Sequence, residues 1–199
     1  MIATQSLYYG FEAQIKKRLK REVIDVKKCL IVVDYQNDFV TGSLGFPDAV
    51  ALEHGIAEKI RQYRESCGEI VFTFDTHYEN YLSTQEGRVL PVPHCLKGTA
   101  GHELYGEPGK LALPSDMAFD KNTFGSRELF EYLKNTPFDS IELVGVVSNI
   151  CVISNAILVK TAQPETPIIV DAKCTASNDS SLNQAALDVM ASLQIEVIK

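Results

Sequence analysis

Short runs of apolar, mostly β-branched residues alternate along the chain with stretches whose apolar residues recur at helical spacing. The apolar runs predict six strands, at residues 29–34, 69–75, 117–121, 140–147, 167–172 and 195–199. Helical spacing predicts helices near residues 49–66, 126–134, 149–160 and 180–193. This alternation is typical of a parallel sheet, because parallel neighbours need crossover connections. We therefore expect an α/β fold of three layers, α/β/α, with a mostly parallel central sheet of about six strands.

The interval between the second and third predicted strands is much longer than the other connections. It is rich in Pro, Gly and His, whereas connections in such folds usually have about two to six residues. Loops of this length are often functional, and ligands of open α/β sheets bind beyond the carboxyl ends of the strands. Four residues fall at such predicted ends: Asp34, Asp75, Lys121 and Val147. The pattern thus predicts a crevice to which four segments contribute.

The first 26 residues differ in character from the rest of the chain. Apolar residues recur there at every fourth position, and five basic residues follow one another closely: Lys16, Lys17, Arg18, Lys20 and Arg21. We interpret residues 1–26 as an N-terminal helical extension that docks on the domain or on a neighbouring subunit, and residues 27–199 as one domain. An arm that binds nucleic acid or a membrane is the alternative interpretation.

Composition narrows the kind of partner. The 199 residues carry a formal net charge of −7 with a pI near 5.1, which argues against nucleic acid or an anionic membrane surface and favours a small molecule. No apolar run approaches the roughly twenty residues of a membrane span, and the N-terminus lacks the apolar centre of a signal peptide. We expect a cytoplasmic protein whose five cysteines are reduced thiols, since they form no C-x-x-C pair.

A cysteine stands where a buried strand should give way to a helix, in "GVVSNICVIS" at residues 145–154. A cysteine in an apolar run is most often a small packed hydrophobe. In the first turn of a helix, however, unpaired N–H groups and the helix dipole would favour a thiolate at Cys151 and could hold an oxyanion. Ser148 or Asn149 is the expected N-cap of this helix.

Two charged residues at strand ends are candidates to act with this cysteine. Asp34 follows five apolar residues, an unfavourable place for a carboxylate unless it is paired or used, although a structural turn or cap is the alternative. Lys121 lies in "FDKNTFGS", and most lysines are simply solvated. Together the two are more informative, because a cation beside Asp34 and Cys151 would help to keep both anionic forms accessible.

Histidines near the long interval suggest a metal site. Asp75 and His77 alternate at a strand end, and His94 follows within "PVPHC". Two imidazoles and a carboxylate suit a borderline divalent ion. With four histidines in the chain, chance clustering is the alternative, and we expect structural roles for His54 and His102.

Three segments in order, "VVDYQNDF", "DKNTFGS" and "GVVSNIC", resemble the isochorismatase-like cysteine hydrolases over about residues 27–199. The resemblance implies a catalytic triad of Asp34, Lys121 and Cys151. "FDTH" with the later His94 is similar to the nicotinamidase-type branch of that family. In that branch these positions hold one divalent ion, which we expect to be zinc, with iron or manganese as alternatives. Glu86 matches a further ligand position.

The resemblance also implies an activity and a binding pocket. The expected reaction converts nicotinamide to nicotinic acid and ammonia through a cysteine thioester, with the backbone N–H groups of Val147 and Cys151 as the oxyanion hole. Phe39, Leu90 and Phe124 would line the substrate pocket. The family further implies a cis peptide bond between Val146 and Val147. We also expect a homo-oligomer.

Several positions depart from the nicotinamidase pattern and leave other functions open. Ser148 and Asn149 replace a common Thr-Asp pair, and Leu90 stands where an aromatic residue often stacks on the substrate ring. The same chemistry on another small amide or carbamoyl compound is therefore an alternative. A vinyl-ether hydrolase of isochorismatase type would leave Cys151 and the histidines unused. A non-enzymatic binding or scaffold protein, suggested by the N-terminal helix, is a further alternative.

Overall fold

The computed structural model describes residues 26–199, so the helical extension expected over residues 1–26 lies outside the described residues apart from Val26. Over the described range the chain forms a six-stranded sheet in the order β3-β2-β1-β4-β5-β6, with every pairing parallel. Its strands are β1 (Lys28–Val33), β2 (Glu69–Asp75), β3 (Met117–Lys121), β4 (Ser140–Val146), β5 (Ile168–Ala176) and β6 (Glu196–Ile198). The expected sheet is confirmed.

Helices of the described range cover both faces of the sheet. They are α1 (Asn37–Val40), α2 (Pro47–Ala51), α3 (Glu53–Glu65), α4 (Gln85–Val89), α5 (Gly106–Leu111), α6 (Arg127–Asn135), α7 (Ile153–Ala162) and α8 (Ser180–Ser192). Short 3₁₀ turns lie at Tyr81–Ser83 and Ala100–His102, and a π-helical turn at Ser148–Val152 precedes α7. Over residues 26–199, every helix falls short of the length and apolar character that a bilayer span requires.

The central strand β1 shows why the sheet is buried on both faces. Its residues point alternately to opposite sides. Cys29, Ile31 and Val33 pack into a layer with α6, α7 and α8. Leu30 and Val32 pack into the opposite layer with α1, α2 and α3. All five side chains are fully buried, which explains the continuous apolar run, and the predicted three-layer α/β/α architecture is confirmed.

Some predicted boundaries were wrong for identifiable reasons. Strand β5 continues to Ala176, past the predicted end at residue 172, because the polar "KCT" segment interrupts the apolar run while the strand still pairs with β4 after a shift in register. The helix predicted over 49–66 is two helices, α2 and α3. The long interval between β2 and β3 holds the two 3₁₀ turns together with α4 and α5. All five cysteines lie in the described range and are free thiols.

A glycine lets the two central strands approach closely beside the carboxyl edge. Gly145 of β4 has φ +111°, a conformation that L side chains rarely adopt. A Cβ atom there would clash with the carbonyl oxygen of Val33 in β1. The carboxyl ends of β1 and β4 are thereby held side by side.

Candidate active site

The three strand-end residues expected to act together meet in one buried cluster. Lys121 Nζ lies 2.6 Å from Asp34 Oδ2 and 3.6 Å from Cys151 Sγ. It also lies 3.3 Å from Asp75 Oδ1. All four side chains are buried. Because β1, β2 and β3 are adjacent, their carboxyl ends deliver Asp34, Asp75 and Lys121 to the same point, and the segment after β4 adds the thiol.

Asp34 is held by the neighbouring strand. The residue directly follows β1 and has φ +47°, a left-handed conformation that aspartate tolerates better than most residues. Its N–H donates to the Thr73 carbonyl at 3.2 Å, and the Thr73 hydroxyl donates to Asp34 Oδ1 at 2.6 Å. The other carboxylate oxygen faces Lys121. The carboxylate is thus fixed on one side and paired on the other.

Burial dominates the acidity of this cluster. Burial raises the pKa of the Cys151 thiol well above its usual value, Lys121 opposes the shift, and the Asp34 carboxylate raises the pKa further as a nearby charge and hydrogen-bond partner. Burial also raises the pKa of Asp34 against the influence of Lys121. Lys121 therefore acts on the thiol pKa in the expected direction, but burial acts in the opposite direction and is the larger influence. Burial thus disfavours the thiolate, and the Asp34 carboxyl group is placed to take up the thiol proton.

Cys151 lies in a π-helical turn and not in the first turn of a regular helix. The turn spans Ser148–Val152, and the N–H of Val152 donates to the Val147 carbonyl at 3.1 Å. Val147 occupies the N-cap position without a side-chain hydrogen bond, so the predicted cap by Ser148 or Asn149 was wrong. Within the described part of the chain, Ser148 Oγ and Asn149 Oδ1 are buried without a hydrogen-bond partner. The expected cis peptide bond between Val146 and Val147 is present.

The residues expected to bind a metal also converge. Ligand atoms of Asp75, His77, Glu86 and His94 all lie within 4.8 Å of one another. His77 Nε2 and His94 Nε2 lie 3.1 and 3.3 Å from the same oxygen, Asp75 Oδ2. They lie 3.8 and 3.7 Å from Glu86 Oε1. Asp75 therefore belongs to both groups, with Oδ1 towards Lys121 and Oδ2 towards the imidazoles.

The donor set of this second group suits a divalent cation. His94 Nδ1 lies 2.8 Å from the Val92 carbonyl oxygen and so donates to it, which leaves a lone pair on Nε2 facing the centre. Two carboxylate oxygens and two imidazole nitrogens around one point are ligands of the kind that zinc binds. The residues therefore fit the expected metal.

The other two histidines lie outside this group. His102 is buried, its Nε2 lies 2.8 Å from Thr76 Oγ1, and its ring stacks on Phe74. His54 is exposed on α3. His102 has the structural setting that the sequence suggested.

A small cavity of about 240 Å³ opens onto Cys151. The three expected pocket residues line it, namely Phe39, Leu90 and Phe124, together with Glu86, His94 and Val147. Four further lining residues were missed: Leu44, Phe46, Ile150 and Asn178. Leu44 and Phe46 belong to the irregular segment between α1 and α2, where periodicity carries no signal. Asn178 was missed because the end of β5 was placed too early.

Tyr81 packs behind two of the possible metal ligands and contacts the backbone at position 90. Its ring packs against both His77 and His94, with centroid distances of 4.6 and 5.1 Å. Its hydroxyl donates to the Leu90 carbonyl at 2.8 Å. Tyr81 therefore supports the imidazoles from outside the pocket, a role for which the sequence offered no signal.

Known proteins share this architecture. The nicotinamidase of Saccharomyces cerevisiae is 26% identical over 214 residues, covering 86% of this chain and 99% of that protein. The crystal structure of nicotinamidase/pyrazinamidase PncA from Bacillus subtilis matches with a TM-score of 0.79 and 26% identity, over 87% of this chain and 100% of that one. The pyrazinamidase of Pyrococcus horikoshii in complex with zinc matches with a TM-score of 0.75 and 26% identity, over 87% and 99%.

The fold and the site define a three-layer α/β/α protein that gathers an acid, an ammonium group and a thiol beside four possible metal ligands at the carboxyl edge of a parallel sheet. The family model of the Isochorismatase domain matches residues 28–199. The chain belongs to the isochorismatase family.

Proposed function

We propose that this protein hydrolyses the carboxamide of nicotinamide to nicotinic acid and ammonia. The observation that carries the proposal is the position of Cys151, which opens into a small cavity and contacts the Lys121 ammonium group that is paired with Asp34. A cavity of about 240 Å³ is smaller than the usual sites for drug-sized ligands and suits a single-ring compound. The family match and the nicotinamidase relatives support the enzyme class, a hydrolase of amide C–N bonds.

The first half of the reaction uses the thiol and the carboxylate. Asp34 accepts the Cys151 proton as the sulfur attacks the amide carbonyl, so a C–S bond forms and the carbonyl oxygen gains negative charge. The backbone N–H groups of Val147 and Cys151 hold that oxygen. The protonated Asp34 then gives its proton to the amide nitrogen, and the C–N bond breaks. Ammonia departs, and a thioester remains on Cys151.

The second half regenerates the enzyme. Asp34, again a carboxylate, accepts a proton from water as the water oxygen attacks the thioester carbonyl. The C–S bond then breaks, the sulfur recovers its proton from Asp34, and nicotinic acid leaves. Lys121 stays charged throughout and limits the cost of alternating charge on Asp34 and Cys151 in a buried site.

Asp75, His77, Glu86 and His94 are the residues that would hold a metal ion. Such an ion would supply a Lewis-acid contact for the ring nitrogen of nicotinamide, which would orient the ring. The apolar side chains Phe39, Leu90 and Phe124 line the cavity and would pack against the ring.

An amide panel tests the proposal. Purified protein is incubated with nicotinamide, pyrazinamide and aliphatic amides, with and without a chelator, and the release of ammonia and of the acid is measured. We expect nicotinamide to exceed the aliphatic amides in kcat/KM by at least about tenfold, since pocket contacts contribute about 1–3 kcal/mol. Ammonia release from every amide except nicotinamide would contradict the proposed substrate.

A second candidate is the same chemistry on another small amide or carbamoyl compound. Asn178 favours it, because this exposed side chain is the one polar lining residue that belongs to neither cluster in the described range. Its amide can both donate and accept hydrogen bonds. Nicotinamide has no second ring heteroatom that the Asn178 amide could contact. A substrate with a further polar group would offer such a contact. Higher kcat/KM for such a member of the panel would favour this candidate.

A further inference from the structure

We propose that Gln36 and Asp38 are positioning residues that hold two of the metal ligands, Asp75 and His94, through the backbone. Both lie in the "VVDYQNDF" segment, of which the proposed chemistry uses Asp34 and Phe39. The inference rests on the metal site of the proposed function. It assigns the segment a second role, which is to align the metal ligands with the catalytic carboxylate.

The Gln36 side chain forms hydrogen bonds with both backbone groups of Asp75. The N–H of Asp75 donates to Gln36 Oε1 at 2.8 Å, and Gln36 Nε2 donates to the Asp75 carbonyl at 2.9 Å. The same Nε2 donates to the His102 carbonyl at 2.8 Å. Gln36 is fully buried, so each of these bonds replaces water that the group has lost. The side chain therefore fixes the peptide groups on either side of the Asp75 Cα atom.

Asp38 fixes the segment that carries His94. Its Oδ2 accepts a hydrogen bond from the N–H of Cys95 at 2.7 Å. Cys95 has φ +44°, a conformation that a residue with a side chain keeps only when its surroundings impose it. The Cys95 carbonyl accepts in turn from the N–H of His77 at 3.0 Å. One peptide segment thus links Asp38 to the neighbours of both imidazole ligands.

The segment that carries Gln36 and Asp38 is itself held by hydrogen bonds to other parts of the chain. The N–H of Asn37 donates to the Glu103 carbonyl at 2.9 Å, and the N–H of Tyr105 donates to the Tyr35 carbonyl at 2.9 Å. The Tyr35 hydroxyl donates to the Ala49 carbonyl at 2.7 Å. Residues 35–37 are therefore tied to α2 and to residues 103–105, and Asp34 at their N-terminal end is tied to β2. A shift of Gln36 or Asp38 would have to break these contacts.

Such outer contacts matter because metal affinity depends on ligand atoms being held at the right separation before the ion arrives. Loss of an outer partner typically weakens metal binding by about 10–100-fold. Asp75 is the most sensitive ligand, because its two carboxylate oxygens face different groups. A rotation at Asp75 would move one oxygen away from the imidazoles and the other away from Lys121.

The chain offers a matched control for Gln36. Gln163 is also buried, its Nε2 donates to two backbone carbonyls, of Leu133 and Thr136, and its Oε1 accepts from the N–H of Phe138. These contacts lie between α6, α7 and the start of β4, away from the four possible metal ligands. Gln163→Met therefore removes the same kinds of hydrogen bond as Gln36→Met and leaves the metal ligands untouched.

The experiment measures metal binding directly. Metal-free wild-type protein, Gln36→Met and Gln163→Met are titrated with Zn²⁺ in competition with a chromophoric chelator, and the visible absorption of the Co²⁺ forms is recorded. We expect Gln36→Met to bind Zn²⁺ at least about tenfold more weakly and to change the Co²⁺ spectrum. We expect Gln163→Met to keep wild-type affinity and spectrum. The thermal unfolding of the metal-free variants shows what each substitution costs the fold.

Each outcome decides something. Wild-type Zn²⁺ affinity in Gln36→Met, or an equal loss in Gln163→Met, overturns the inference. A wild-type protein that binds no Zn²⁺ overturns the proposed metal site and the inference with it. Should Gln36→Met not fold, Gln36→Glu decides, because its carboxyl group keeps the acceptor for the Asp75 N–H but cannot supply the two donors that the Asp75 and His102 carbonyls receive from the amide. Wild-type Zn²⁺ affinity in Gln36→Glu would contradict the proposed role of Gln36.

Asp38 gives an independent test. In Asp38→Ala the Cys95 N–H loses its acceptor, and we expect weaker Zn²⁺ binding by about tenfold, while Asp38→Asn, which retains an oxygen, restores most of it. A structural role alone would lower the unfolding temperature of the metal-free protein and leave the Co²⁺ spectrum of folded protein unchanged. That result would overturn the role of Asp38.

Discussion

Two clusters meet at Asp75, and they differ in how their charges are balanced. In the thiol cluster, the Lys121 ammonium group lies against Asp34 and Cys151, so the chain supplies its own cation. In the metal-ligand cluster, four acceptor groups face one another, and within the described residues the only lysine or arginine that reaches them is Lys121, at Asp75 Oδ1. The first cluster includes its own cation, whereas the second has a donor set that suits an added cation. Because Asp75 belongs to both clusters, a substitution that alters one cluster can also alter the other.

Removal of the thiol should give the largest effect and should separate the clusters. We expect Cys151→Ala to lower ammonia release by at least about 10⁴-fold, since loss of a nucleophile removes the whole covalent route. Zn²⁺ binding should remain at wild-type affinity. Cys174→Ala is the control, because Cys174 is equally buried but does not line the cavity. Ammonia release by Cys151→Ala at the parental rate would exclude the thiol mechanism.

Removal of the cation should damage both clusters at once. Lys121→Met leaves the carboxylates of Asp34 and Asp75 buried without their partner, and such uncompensated charge typically costs about 3–5 kcal/mol. The free energy of unfolding in urea should fall by this amount. Lys97→Met is the control, because Lys97 pairs with Asp120 at the surface and should change stability by less than about 1 kcal/mol. Equal losses would refute the central role of Lys121.

Loss of a single imidazole should affect the metal-ligand cluster first. We expect His94→Ala to bind Zn²⁺ at least about 100-fold more weakly, which is more than an outer partner would cost. Its Cys151 should still react with iodoacetamide as in the wild-type protein. His54→Ala, an exposed histidine on α3, should leave Zn²⁺ binding unchanged. Wild-type Zn²⁺ affinity in His94→Ala would mean that the four acceptors do not act as one site.

The smallest effect should come from the wall of the cavity. Phe124 is 44% exposed and lines the pocket. We expect Phe124→Ala to raise KM for nicotinamide by about tenfold with little change in kcat, because the lost apolar contact contributes equally to substrate and transition state. Leu182 is 49% exposed and lies outside the cavity, so Leu182→Ala should leave KM unchanged. A fall in kcat alone would place Phe124 in the chemistry instead.

The same comparison shows what the sequence could predict. Asp34, Lys121 and Cys151 stand at the ends of apolar runs, and parallel strands place those ends together, so the thiol cluster followed from periodicity once the motifs were combined. Asp75 and His77 followed for the same reason. His94 and Glu86 lie in the long interval, where only residue type and the family resemblance pointed to them.

Other features depend on contacts that no local pattern reports. Gln36 and Asp38 act on backbone groups of residues far along the chain, so nothing in their neighbourhood reveals a role. The sequence shows the cation near Cys151, which lowers the thiol pKa as expected, but it does not show how deeply the sulfur is buried, and burial raises that pKa. The π-helical turn around Cys151 likewise depends on how β4 ends, which spacing alone does not fix.

The location of Lys121 has a consequence for how the protein would fail on heating. The residue closes β3, which pairs only with β2 and forms one margin of the sheet over the described residues, and the other residues of β3 are exposed or half-buried. Edge strands with few buried contacts have a lower free energy of local opening than the core. Fraying of β3 would withdraw the ammonium group while the interior remains intact. Amide proton exchange in β3 should therefore accelerate, and turnover should cease, several degrees before the melting transition.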